Sequence, residues 1–216
     1  MLQTAISRLL EGDSQTRESS GGSPQTEPWR VARSDDAPMT ASGSRMTVGM
    51  VVDALLNALT PPTDDEAALI ERLGLKPGRV AWDLSRWLEL VDASASSRFA
   101  ALPEGERYAE VGRLFMSGFA QTPAGDALLS LMRVIGPERA MRRLTLNLRD
   151  ATDFVTVDVD PLPPNGLRLR FSDVSRPGFF VGVLEAVLIA ADAVYPVVQL
   201  SSREGRAATF DVRWSP

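Results

Sequence analysis

The chain has 216 residues, 44% apolar and 24% charged, with 23 basic against 28 acidic side chains and a formal net charge of −5. That balance is the one expected of a globular domain with a tail. Its negative field disfavours non-specific binding to nucleic acid or anionic membrane. Histidine and cysteine are both absent, which removes the Ser-His-Asp triad, the thiolate nucleophile, imidazole acid–base chemistry, disulfides, and the usual zinc and haem ligand sets.

No metal and no cofactor is therefore expected. A general base would have to be a carboxylate or Lys76, the one lysine. The lack of cysteine agrees with a reducing, cytoplasmic setting. Met1 to Leu10 has a broken apolar pattern containing Arg8, unlike a secretory signal. No apolar run reaches the roughly 20 residues of a membrane span.

Residues 1–45 read as a disordered tail. Ser, Gly, Pro, Thr and Asp dominate it, with too little apolar surface to offset ordering entropy. Within it, Leu2, Ile6, Leu9 and Leu10 have helical spacing, so residues 1–11 can form a short amphipathic helix that docks on a protein partner. A frayed end, or an alternative start at Met46, accounts for the same residues.

Residues 46–216 read as one α+β domain, helical to about residue 150. Met50, Val51, Ala54, Leu55 and Ala58 form an apolar stripe ended by Pro61-Pro62. Thr63 and Glu66 have the spacing of a capping box, and that helix stops at Gly74. Val80 to Val91 reads as a third helix with Trp82 and Trp87 buried. Pro103-Glu104 opens a fourth, carrying Tyr108, Val111, Phe115 and Phe119. Pro123 interrupts it. Ala124–Ile135 and Pro137–Arg149 follow, separated by a Gly136-Pro137 break.

The period then changes. Val155, Val157 and Val159 alternate with polar residues, as do Leu167, Leu169 and Phe171, across the turn Pro161 to Gly166. Pro177-Gly178 opens a helix with Phe179, Val183 and Val187 on its apolar face. Tyr195–Leu200 and Ala208–Trp214 are two more strands. The order β-β-α-β-β predicts an antiparallel sheet with its helix on one side. Gly182 is expected to let that helix lie close to the sheet.

Three stretches carry a family resemblance: Gly112 to Gly125, Gly136-Pro137-Glu138-Arg139, and the terminal block with Gly182 to Leu188 and the ending Ala208 to Trp214. On these, the chain from about Met46 to Trp214 resembles a large paralogous family of uncharacterised proteins found in myxobacteria. More distantly, the terminal block is similar to vinyl-reductase-type and haem-nitric-oxide-binding domains. That resemblance implies helices paired with a C-terminal sheet and a possible enclosed cavity. The departures are the missing histidine and cysteines, so it does not imply the cofactor.

Phe115, Phe119, Phe179, Leu184 and Glu185 are the candidate ligand-binding residues: four apolar groups that would line a cavity between the halves, and a carboxylate interrupting an apolar helix. The alternative is a solid core with Glu185 on the helix edge. Arg168, Arg170 and Arg213 are a candidate anion or partner patch on one sheet face. The alternative is a wet face with Asp158, Asp160 and Asp211 as cross-strand partners. Arg139, Arg142, Arg143 and Arg149 are either an anion patch or a solvated helix face. Asp153, Asp158 and Asp160 lack an EF-hand spacing, so no metal is assigned to them.

The function read from the sequence is a non-enzymatic sensor or adaptor that binds a small apolar ligand or a protein partner. A homodimeric interaction module, using a sheet edge or an apolar helix face, is the alternative. An enzyme using Glu185 or Lys76 is the third class. No catalytic residue is assigned, and no nucleic-acid partner is expected.

Overall fold

A computed structural model of the chain describes residues 45–151 and 154–215. The predicted tail and its helix at 1–11 lie outside the described residues, as does Asp153. Nothing is described of the Arg149 side chain.

The first helix, α1 (Gly49–Ala58), buries Val52, Ala54 and Leu55. After Pro61-Pro62 the chain restarts at α2 (Asp64–Leu73), whose first turn carries Asp64, Asp65 and Glu66 beside the positive helix end. Thr63 caps it reciprocally. Its hydroxyl accepts from the Glu66 backbone N–H, and the Glu66 carboxylate accepts from the Thr63 N–H at 2.7 Å. Gly74, at φ 62°, takes the left-handed conformation that ends the helix.

The expected helix over Val80–Val91 needs correction. Ala81–Asp83 is a strand, β2, paired antiparallel with β1 (Met46–Val48). The helix itself, α3, runs Leu84–Arg98. Three-residue strands are too short to show a period. Their pairing joins segments 35 positions apart, which local spacing does not report.

Next come α4 (Glu104–Ala120) and the long α5 (Pro123–Ala151). The latter is broken at Gly136, whose φ 77° and ψ 171° are not helical. Strands β3 (Val157–Pro161) and β4 (Gly166–Phe171), helix α6 (Pro177–Ala190), and strands β5 (Val194–Glu204) and β6 (Ala207–Ser215) complete the chain. The last four strands form one antiparallel sheet in the order β3-β4-β6-β5. Its inner face is Leu167, Leu169 and Phe171 on β4 against Val212, Phe210 and Ala208 on β6, all buried. This is the α+β arrangement predicted from the period change.

Helix α6 lies against the sheet on one side and α4 on the other. Phe180 meets Phe171 of the sheet at 5.1 Å between ring centroids. Against α4 the backbones touch directly. A Cβ added at Gly182 would lie 1.9 Å from the Ala109 carbonyl oxygen, and one at Gly112 would lie 2.1 Å from that of Phe179. The close approach that Gly182 permits is thus between two helices, not between helix and sheet.

The outermost strand β5 carries Pro196, which has no N–H to donate, and register shifts between Val194 and Val197 and between Leu200 and Ser202. Both features make a sheet edge a poor template for another strand.

Candidate functional site

The aromatic residues predicted as cavity walls meet one another. Trp87 of α3 contacts Phe115 of α4 at 5.9 Å and Phe179 of α6 at 5.7 Å, in both cases edge to face. Phe115 lies 5.5 Å from Phe179 and stacks on Phe119 at 6.2 Å. These are contact separations for rings. Leu184 is fully buried in the same core. Glu185 turns away from that cluster to Arg113 on α4, which donates to it from Nε at 3.1 Å and from Nη2 at 2.6 Å. Arg113 also holds Glu110 at 2.6 Å. The structure therefore brings Phe115, Phe119 and Phe179 together and gives Glu185 a cationic partner.

On the opposite sheet face, register places Arg168 and Arg170 beside Asp160 and Asp158 of β3, with Asp211 of β6 opposite Arg168. Arg168 grips Asp211 through two 2.7 Å bonds, and Arg170 pairs with Asp160. The hydrogen bonds from Arg168 hold the Asp211 carboxyl below its ordinary range, against the opposing effect of partial burial. Arg213 shares this face but donates to the Pro163 carbonyl oxygen at 3.4 Å. Of the predicted three-arginine patch, two members are thus matched by carboxylates. Arg142 of α5 binds Glu138. No group of three or more acidic side chains among the described residues could hold a metal ion.

Two further charged groups cross-link the fold. Asp92 of α3 accepts from Tyr108 at 2.9 Å and from both Nε and Nη2 of Arg176 at 2.6 Å. Burial, together with its bond to Asp92, raises the Tyr108 hydroxyl above the usual tyrosine value. Asp173, before α6, binds both Arg45 and Arg206 at 2.7 Å.

A concave surface lies elsewhere among the described residues. A cleft of about 410 Å³ opens between the α5 break and the β3–β4 hairpin. Ile135–Arg139 form one wall, Pro161–Leu167 the other, and Trp214 of β6 completes it. Sequence reading identified both walls as punctuation, a Gly-Pro break and a proline-rich turn. Nothing in the local pattern signals that they face each other, and Trp214 was legible only as the end of a strand. Gly136 shapes one side of the cleft because its φ 77°, ψ 171° backbone is open essentially to glycine alone. The hairpin is closed by Leu162 N–H to Gly166 O at 2.9 Å and tied to β6 by Trp214 N–H to Asn165 O at 3.1 Å.

Solved structures with the same fold include H-NOX domains. A doubly substituted Tt H-NOX matches with a TM-score of 0.55 and 14% identity, over 78% of this chain and 95% of that one. An H-NOX structure solved to probe haem distortion in its family matches at 0.52 and 15%, over 78% and 95%. An oxygen-binding H-NOX domain related to soluble guanylate cyclases, in its oxygen complex, matches at 0.51 and 15%, over 78% and 93%.

The residues present do not fit haem. The chain supplies no imidazole and no thiolate. Of its two tyrosines, Tyr108 bonds Asp92 while Tyr195 is 81% exposed at the edge strand. The space between helices and sheet holds side-chain rings in mutual contact, and α4 and α6 meet backbone to backbone.

No curated protein gives a significant sequence match. One family model covers residues 43–215, and it spans the helices, the sheet and both walls of the cleft. With that coverage the chain belongs to the family described as Protein of unknown function (DUF2378).

Proposed function

We propose that the chain is a non-catalytic sensor or adaptor domain that recognises a protein partner through the cleft between the α5 break and the β3–β4 hairpin. The observation that carries this reading is the cleft itself: about 410 Å³, open to solvent, with apolar and polar groups on walls held by prolines and a glycine-defined backbone. Pockets with a few oriented polar groups among apolar ones are the usual form of a recognition site. The fold shared with H-NOX domains supports a sensing role in kind but not in ligand, because the haem-binding chemistry does not fit these residues.

A small apolar ligand among Phe115, Phe119, Phe179 and Leu184 would have to displace rings already in contact, so the cleft is the better-supported site. A homodimer through the β5 edge is disfavoured by Pro196 and the two register shifts. The non-catalytic reading rests on the missing histidine and cysteine, on the pairing of Glu185 with Arg113, and on the exposed position of Lys76 in the segment after α2.

Affinity capture with the full chain and with Leu162→Asp as baits tests the reading. The half-buried Leu162 sits on the hairpin wall, and a carboxylate there is costly against an apolar partner. At least a tenfold loss of the principal captured protein is expected, with circular dichroism unchanged. Equal recovery by both baits would eliminate the cleft as the recognition surface.

A further inference from the structure

We infer that the cleft is a docking groove for a short, extended, acidic segment with apolar side chains, contributed by a partner protein. This rests on the recognition-domain reading above and adds the chemistry of what is recognised. Three observations support it: the sign of charge around the cleft, the apolar surface within it, and the stiffness of its walls.

The molecule as a whole is negative, at −5, whereas the cleft lining carries one carboxylate and one guanidinium, Glu138 and Arg139. Glu138 is the one carboxylate on the lining, and Arg142 neutralises it through two 3.1 Å bonds. Arg139, on the same wall, is exposed and has no hydrogen-bond or ion-pair partner among the described residues. Arg213 reaches the opposite wall at the Pro163 carbonyl oxygen and is otherwise exposed. Arg139 and Arg213 are thus the guanidiniums at the cleft with no ion-pair partner among the described residues; Asp211, whose carboxyl feels the Arg213 charge, is already bound by Arg168. Guanidinium groups are suited to bidentate capture of carboxylates. Elsewhere the exposed arginines of the sheet face are already matched by Asp211 and Asp160.

Beside Arg139 the cleft offers the half-buried Ile135, Leu162 and Trp214. An indole with aliphatic neighbours is the type of surface that anchors one or two apolar side chains of a bound segment. An extended segment can lay alternate side chains into such a cleft. Pro137, Pro161, Pro163 and Pro164 fix the backbone on both sides. Rigid walls reduce the entropy lost on binding.

The test is a selection of random seven-residue displayed peptides on the full chain. The most enriched sequence is then synthesised with a fluorescein label and measured by fluorescence anisotropy. The proteins are the wild type, Arg139→Glu/Arg213→Glu, and Leu162→Asp, the first two at low and at physiological salt. Both arginines are exposed, so their reversal leaves the core untouched.

The expected result is a set of peptides with net negative charge and at least one aromatic or large aliphatic side chain. Affinity should fall at least tenfold on arginine reversal and severalfold on adding salt. Neutral or basic peptides that depend on Leu162 but not on the arginines would overturn the inference and leave the cleft reading standing. No enrichment, or binding indifferent to both variants, would overturn both.

Discussion

Glu66 is fully buried and sits in a cage of donors. Burial raises its pKa. Hydrogen bonds from Arg98 and the Thr63 N–H, together with the charge of Arg98, outweigh that and bring it below the ordinary glutamate value. Arg98 donates to both carboxylate oxygens at 2.8 Å and to the Pro61 carbonyl at 2.9 Å, tying α3 to the start of α2. A depressed folded-state pKa adds stability above the unfolded pKa, near 4.3 for glutamate, and that stability disappears as pH falls through the folded value.

Glu66→Gln should therefore cost about 3 kcal/mol at pH 7, the low end for a broken buried pair because Arg98 still touches solvent. The deficit should begin to shrink as pH falls below the unfolded value near 4.3, where the unfolded chain takes up a proton that the folded carboxyl still resists, and continue to shrink toward the depressed folded value. Urea melts at pH 7 and pH 3.5 check this, and an equal deficit at both would contradict it. The cap was legible because Thr63 and Glu66 are three residues apart. Arg98 was not, because it lies 32 positions away and only the packing of α3 on α2 brings it in.

At the level of elements, the α5 break shows how one residue sets a wall. Proline at 137 was enough to predict an interruption. The conformation needed to carry the chain across came from Gly136, whose Cβ position meets no atom within 4 Å. A substitution there is opposed by backbone strain rather than by crowding. Gly136→Ala should cost about 1–3 kcal/mol, and Tm should fall by roughly 2–4 °C for each kcal/mol in a chain of this size. Thermal unfolding measures it, and an unchanged Tm would mean that the break relaxes freely into another geometry.

Other elements were legible to different degrees. Helices α1, α2 and α4 announced themselves by apolar spacing and by their ends. Strands β1 and β2 did not, because three residues cannot display an alternation and Trp82 supplied a false helical contact. The α4–α6 crossing was hidden as well: Gly182 signalled close packing, but nothing in its neighbourhood named the partner surface.

For the whole molecule, the change from a helical period to alternation near residue 155 was sufficient for the α+β class and for the β-β-α-β-β order. The cleft was not legible, because its walls are separated by more than 20 residues and are made of residues whose usual role is to end elements. The aromatic cluster was identified residue by residue, but whether its members enclose space or fill it depends on helix separation, which no spacing encodes.

That filling leads to a test of the whole chain. Titration with haemin should give only the weak, broad absorption of adventitiously bound porphyrin. A sharp stoichiometric Soret band would show that Trp87, Phe115 and Phe179 can part to admit it.

The direct backbone meeting of α4 and α6 also bears on how strain travels. Where long side chains separate two helices, a shift of one is absorbed by rotamer changes in the gap. At Gly112 and Gly182 there is no such gap to absorb anything. A tilt imposed on α6 from the sheet side should therefore pass to α4, and through it to α1 at Gly118, as a rigid displacement rather than a change of rotamers.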